Sequence, residues 1–438
     1  MSGRQALVEF AVRMDVEKWM KTSYTRRLSL ADLTYAASGY RLKHKNQLLC
    51  QLIVRGVGRI PEHRMLDAAA EVSRYCPIMR SRLKGFWFAK YWSASGPLPR
   101  VRTVNLDWDG QCQEGLDFID TPLDLMVGPV AEIVQVVGRS TYIVFRAHHA
   151  VTDGIGMLEF AQAFFKVLNG AEPVYYGSPV ILEKMPPGNL AAIPPSVSAA
   201  PTPYPLAEVD PERVRRERIW RQLTLPGNDK KILLKVMLAL SAMARGKDSG
   251  AVRLHMPVSL RRYVPSENTL ANLFGMLRID INVGDDEKVL VKKIKGAMAD
   301  RQELPIAVNS VTSKLAFAFP LLVLHMLEKL AIKRLLGRPR FRCSATTSYG
   351  GTLSLQSFST EHFTAKTVFG IPVSPLGTPL MVAIMSNENS TEIVVSANRT
   401  LISDESMDQL VQQLQTLIAG YGTRSRTTKT ELQAVVNG

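Results

Sequence analysis

The sequence predicts an α+β fold built as two helix-and-sheet halves, and three observations predict it. At 438 residues the chain is longer than one compact core sustains and suits two units of about 200 residues each. On both sides of the midpoint, apolar segments of strand length are mixed with amphipathic helical segments, and short turns join neighbouring strands. That pattern makes the sheets mixed and largely antiparallel, flanked by helices. Between the halves runs PPGNLAAIPPSVSAAPTPYPLAEVDP. Its prolines remove amide donors and fix φ, so it reads as an extended linker. The expected division is 1–175, a Pro/Ala-rich linker over 176–212, and 213–438.

In the first half, LSLADLTYAAS (28–38) predicts a helix with Ser29 as its cap, and QLLCQLIVRG (47–56) a strand. The stretch 61–83 has helical periodicity, with Leu66, Ala69, Ala70 and Ser73 on one side. VAEIVQVVG (130–138) and TYIVFRAHHA (141–150) form an antiparallel hairpin through Gly138, Arg139 and Ser140, and 155–168 is an amphipathic helix. After the linker come a very basic segment (213–223), a helix (231–246), strands at 251–261 and 272–283, and a helix at 286–300. Helices over 311–336 follow, then strands at 342–351, 363–371, 379–389 and 391–399, and a capped helix from 403 to 422.

Composition narrows the function. With 46% hydrophobic and 21% charged residues the chain folds rather than staying disordered. Its net charge of +15 creates a field that attracts anions. The partners this admits are coenzyme A phosphates, an acidic carrier protein, an anionic membrane surface or nucleic acid. Nucleic acid is set aside, because the basic runs RVRRER (213–218) and KRLLGRPRFR (333–342) carry few stacking aromatics and no nucleic-acid motif. Cys50, Cys76, Cys112 and Cys343 lack metal or disulfide spacing, which points to a reducing, cytoplasmic setting. The N-terminus mixes acids and bases and does not read as a signal peptide. The longest apolar run (315–327) contains Pro320 and His325 and falls short of the about 20 residues a spanning helix needs. The helices around it offer Leu321, Leu324, Leu327 and Leu335 as an apolar side for peripheral membrane contact, or simply as core. RGKDSG (245–250) is not a carrier-protein serine site, since glycine follows the serine and no helical bundle surrounds it.

The chemistry concentrates in HHAVTDG (148–154), a polar cluster between a buried strand and a helix. Successive strand residues face opposite sides, so one imidazole can work in a site while the other is structural. Imidazole titrates near neutrality and suits a general base. We assign that role to His149 and a structural one to His148. Asp153 reads as a turn-holding carboxylate, a helix N-cap or the partner of a cation, and Gly154 lets the chain turn into the helix.

HHAVTDG resembles the HHxxxDG motif of the chloramphenicol acetyltransferase-like superfamily of acyltransferases. That superfamily includes nonribosomal-peptide condensation domains, wax ester synthase/diacylglycerol acyltransferases and polyketide-associated acyltransferases. MPVSLRR (256–262), ANLFGMLRIDI (271–281) and ATTSYGG (345–351) are similar to segments of the wax ester synthase branch. The resemblance covers about 28–420. It implies two chloramphenicol acetyltransferase-like subdomains with an active-site tunnel between them. It also implies direct attack of an alcohol or amine on a thioester, with no metal, no acyl-enzyme and no permanently bound cofactor. The donor would be acyl-CoA or an acyl group on the phosphopantetheine of an acyl or peptidyl carrier protein. Carried over by position, His149 is the base, and Asp153 is held by Arg261, with Arg262 the second choice. The SNxxG segment of that branch reads Ser348-Tyr349-Gly350-Gly351 here, with tyrosine in place of asparagine, and the DFGWG motif of the plant branch is absent. Ser348 and Thr347 are therefore the candidate oxyanion donors. The competing readings are a condensation enzyme of specialised metabolism, a lipid-type esterifying enzyme, and a non-catalytic docking module that keeps the fold.

Overall fold

The computed structural model describes residues 24–38, 48–186, 201–202, 206, 217–245, 252–304, 311–337 and 341–436. Most of the expected linker lies outside the described residues, as do Ser249 and most of the RVRRER run. Two large sheets carry the architecture. The first has the strand order β12-β2-β7-β6-β5, with β2 Leu49–Gly58, β5 Arg100–Asn105, β6 Ala131–Val137, β7 Thr141–His148 and β12 Phe363–Ile371. The second has the order β10-β9-β11-β13-β14-β8, with β8 Arg218–Pro226, β9 Val252–Ser259, β10 Phe274–Ile281, β11 Ala345–Thr352, β13 Met381–Ser386 and β14 Ser390–Asn398. A small third sheet joins β1 Thr25–Arg27, β3 Arg82–Lys84 and β4 Tyr91–Ser93. Most pairings are antiparallel, but β5 with β6, and β11 with both neighbours, are parallel. The class is therefore α+β with mixed sheets, as the sequence predicts.

β7 is the central strand of the first sheet, and all of its side chains are buried. Such a strand reads as a continuous apolar run because water touches neither face. Its one charged residue, Arg146, is fully buried against Glu132 at 2.7 Å, which is how a buried cation becomes tolerable. Helices α1 Leu30–Ser38, α2 Glu62–Tyr75 and α3 Gly154–Leu168 contribute apolar faces to the core on one side of this sheet. In the other half, α4 Ile232–Arg245, α5 Glu287–Ala299 and α8 Asp404–Val436 do the same for the second sheet. The two sheets meet through a third cluster, in which Ile53, Val134 and Val144 pack with Trp220, Phe369 and Val394. Two further helices, α6 Val311–Ala318 and α7 Leu321–Gly337, complete the described fold.

Three local readings are corrected. The helix expected over 61–83 stops at Tyr75, because Pro77 lacks an amide donor and biases Cys76 away from helical dihedrals (φ −123°, ψ 62°). Its buried row is Met65, Ala68, Ala69, Val72 and Ser73, whereas Leu66 is half exposed. The basic segment 213–223 contributes most of β8, and its Arg218 is buried, donating to Gln51 at 2.7 Å and to Asp120. Charge alone gives no hint of that strand, since the pairing carboxylate lies in the other half of the chain.

β12 comes from the second half yet pairs along its length with β2, with Val368 opposite Val54. The halves therefore share a sheet as well as an interface. They also approach closely at Gly156 in the first turn of α3, where a Cβ would collide with the Leu270 carbonyl oxygen and the Thr152 hydroxyl. Gly156→Ala is expected to destabilise the protein by about 1–3 kcal/mol through this overpacking. Urea unfolding should show it as a lower midpoint at unchanged slope.

Candidate active site at the seam of the two halves

The HHAVTDG segment is built by hydrogen bonds at the end of β7. The His148 amide donates to the Val130 carbonyl at 3.0 Å and the His149 amide to the Leu48 carbonyl at 2.9 Å, so neighbouring strands grip both residues. His148 is fully buried, and its Nδ1 accepts the Ala150 amide at 3.1 Å. An accepting Nδ1 requires the neutral ring. Burial, and secondarily the neighbouring His149, lowers its pKa to about 3. His148 is thus a neutral brace of the turn. Asp153 then caps α3, with Oδ1 accepting the Gly156 amide at 2.8 Å.

The same carboxylate holds the other half of the chain. Arg261 binds it through two hydrogen bonds of 3.0 Å, one to each oxygen. Asp153 Oδ2 also accepts the Leu273 amide at 2.9 Å. The guanidinium in turn reaches the Ala271 carbonyl (2.9 Å) and the Thr269 carbonyl (3.2 Å). Thr152 adds a bond to the Leu270 carbonyl at 2.7 Å. The cap and the ion pair are therefore one arrangement. Arg262 turns away to Glu303 and the Tyr263 hydroxyl.

His149 is placed by residues that the sequence reading does not single out. Its ring stacks on Tyr35 of α1, with centroids 4.0 Å apart and an interplanar angle of 21°. Its backbone carbonyl accepts Asn272 Nδ2 at 2.8 Å, and the same amide nitrogen donates to Asp32 Oδ1 at 2.9 Å. Asp32 is buried with Arg26 in a 2.9 Å ion pair and exchanges capping bonds with Ser29, whose amide donates to Oδ2 at 2.9 Å. The Ser29-x-x-Asp32 spacing signals this cap in the sequence. Nothing in the spacing signals the pairing of Arg26 with Asp32, nor Asn272, which comes from the other half of the chain. Burial lowers the pKa of His149 below its usual value, opposed by its own carbonyl, Asp153 and Asn272.

His149 lies on the wall of a cavity of about 380 Å³ whose lining comes from both halves. Most of the wall is apolar, and six methionines contribute to it: Met157, Met256, Met276, Met298, Met381 and Met385. Methionine side chains are flexible and polarizable, so such a wall adapts to an apolar guest. Gly154 and Asp153 form part of the lining, as do Ser348, Thr346 and Tyr349. Thr347 does not belong with Ser348. Strand alternation turns it to the opposite face of β11, where it is buried with its hydroxyl 3.5 Å from the His255 carbonyl. Of the two expected oxyanion donors, Ser348 alone is on the cavity side. Cys50 also lines the cavity, but burial raises its thiol pKa well above the ordinary value, which suppresses the nucleophilic thiolate.

No protein-family model matches the chain, and no curated protein matches it in sequence. Solved structures do match its shape. The starter condensation domain of rhizomide synthetase RzmA superposes with a TM-score of 0.58 at 14% identity, over 91% of this chain and 97% of that one. The chain has a condensation-domain fold. The condensation domain of the monacolin K polyketide synthase MokA gives a TM-score of 0.58 at 11% identity, covering 91% of this chain and 97% of that one. The epimerization domain from the third module of tyrocidine synthetase B gives 0.54 at 13% identity with the same coverage. In the condensation-domain fold, this chain places HHAVTDG at the cavity between two halves.

Removing Arg261 strands a buried carboxylate. Arg261→Ala should lower stability by about 3–5 kcal/mol, whereas Arg139→Ala, which removes only a surface pair with Asp107, should change it little. Chemical unfolding of the two variants side by side checks the contrast, and equal effects would disprove the specific pairing.

Glu159 of α3 sits beside this pair, 3.8 Å from Arg261 Nε. Burial raises its carboxyl pKa to about 7, with Arg261 opposing and Asp153 adding to the shift. The folded state thus keeps a proton that the unfolded chain releases near 4.5, and stability is lost as pH rises from there to about 7. Glu159→Gln removes that loss. Its melting temperature relative to the parent should therefore be higher at pH 8 than at pH 5.

Proposed function

We propose that this chain is an acyltransferase that moves an acyl group from a thioester to an alcohol or amine. The observation that carries the reading is the neutral His149 imidazole on the wall of a largely apolar cavity, with Asp153 committed to Arg261 and the helix cap. His149 takes the proton as the hydroxyl or amine attacks the thioester carbonyl. The tetrahedral oxyanion develops where the Ser348 hydroxyl can donate. Collapse breaks the carbon–sulfur bond, and the departing thiolate receives the proton, leaving an ester or amide and a free thiol. With the Cys50 thiol held protonated, direct transfer is favoured over an acyl-enzyme.

A thioester donor is supported by one of the similar structures, a starter condensation domain of RzmA in complex with C8-CoA and Leu-SNAC. The donor here is acyl-CoA or an acyl group on a carrier protein, taken as substrate. The net charge of +15 favours either anionic donor. The methionine-lined wall suits an aliphatic acyl chain, which keeps a lipid-type esterifying enzyme as the second reading.

His149→Ala should reduce turnover by about 10²–10⁴-fold while leaving the melting temperature near that of the parent. The assay is mass spectrometry of products formed from a panel of acyl-CoAs with alcohol and amine acceptors. Because burial depresses the His149 pKa, the acid limb of kcat/KM should have its midpoint below 6.5. Absence of transfer across the panel would replace this reading with a docking module, and full activity in the alanine variant would remove His149 as the base.

A further inference from the structure

Helix α7 is apolar on two faces. On the inner one, Leu321 and His325 are buried, and His325 Nδ1 lies 3.0 Å from the Ala37 carbonyl of α1. The outer face presents Leu322, Met326, Leu327 and Leu330 to water, with Met326 61% exposed. Leu322, Met326 and Leu330 are spaced four apart, so they form one continuous row along the helix. Leu315 of α6 is also exposed, as are Phe86 (66%) and Trp87 (48%), whose rings meet edge to face at 5.6 Å.

Lys90 ties these segments into one surface. Its ammonium donates to the Trp87 carbonyl at 2.6 Å and to the Phe317 and Phe319 carbonyls at 2.9 Å each, joining the aromatic corner to the α6–α7 junction. Trp87 has φ 51°, a left-handed conformation that is costly for a bulky residue. The fold thus holds an aromatic side chain outward at some strain. Charge on the outer face of α7 has one sign: Lys329, Lys333 and Arg334 are exposed, whereas Glu328 is engaged by the Ser38 hydroxyl.

We infer that the face formed by Phe86, Trp87, Leu315 and the outer side of α7 docks on an anionic lipid bilayer. Aromatic and aliphatic side chains enter the headgroup boundary, and the three cations stay at the level of the phosphates. An acidic protein is the less apt partner. Separate protruding apolar side chains edged by long flexible cations match the graded polarity of a lipid interface, where Lys and Arg stems lie along apolar surface with their heads in water. No helix among the described residues is long and apolar enough to cross a membrane, so the contact is peripheral. The face is one helix away from the cavity, since α1 packs under α7 and its Tyr35 stacks on His149. A substrate dissolved in the bilayer would arrive at the working side of the molecule. The inference stands apart from the reaction proposed above, because it requires only adsorption.

The test is flotation of the full chain with vesicles of phosphatidylcholine alone and of phosphatidylcholine mixed with phosphatidylglycerol. The expected result is binding to the mixed vesicles that weakens as salt is raised. Neutralising Lys329, Lys333 and Arg334 to Gln should cost about fivefold in partitioning per residue. A Phe86→Ser, Trp87→Asn, Met326→Ser, Leu330→Ser variant, with an unchanged circular dichroism spectrum, should lose most of the binding. Asparagine is chosen at 87 because it tolerates the left-handed backbone. Vesicle binding that survives in this variant, binding indifferent to lipid charge, or failure to float with capture by an acidic carrier protein instead would each overturn the inference.

Discussion

The bidentate contact between Asp153 and Arg261 is the constraint on which the site depends. One carboxylate caps α3, binds a guanidinium from the other half and accepts the Leu273 amide. A buried carboxylate is costly unless its lone pairs are used, and here the partners that use them come from both halves. The seam is therefore electrostatically closed at the point where β7 hands the chain to α3. The Thr152–Leu270 and Asn272–His149 bonds then follow from the same approach of the 261–273 segment to the turn.

This arrangement separates two tasks that a histidine pair could confuse. His148 is buried, neutral and tied to Ala150, so it fixes the turn without exchanging protons near neutral pH. His149 stands one residue on, stacked on Tyr35 and facing the cavity. Its peptide is pinned by Asn272, which is itself held by Asp32 and, behind that, by Arg26. Orientation reaches the imidazole through a chain of buried polar contacts, and catalytic geometry tends to be held that way.

The cavity wall divides chemically as well. Its lining includes the polar groups of His149, Ser348 and Thr346, while the six methionines give it an adaptable apolar surface. The exposed row on α7 extends this apolar character to the outside of the molecule, with only α1 between. Inside and outside are thus linked by one helix whose Tyr35 touches the candidate base.

Much of this was legible without coordinates, because it rests on local order. Strand alternation and helical periodicity located β7, α3 and β12, and the HHAVTDG spacing put two imidazoles on opposite sides of a pleat and a cap at the next helix. A capping residue, a turn glycine and a buried strand each declare themselves within a few residues of sequence. Tertiary structure alone decided what those residues face. Thr347 and Ser348 are adjacent and chemically alike, yet the direction of the β11 pleat puts one in the cavity and the other against His255. Arg218 looks like part of a solvated basic run until Gln51 and Asp120 arrive from the other half. Asn272 acquires meaning only when segments more than a hundred residues apart converge on Asp32 and His149. Sequence determines the period and polarity of each element, since those are local properties. The partner of a buried polar group is a long-range property, fixed only when the packed halves leave it a single way to be satisfied.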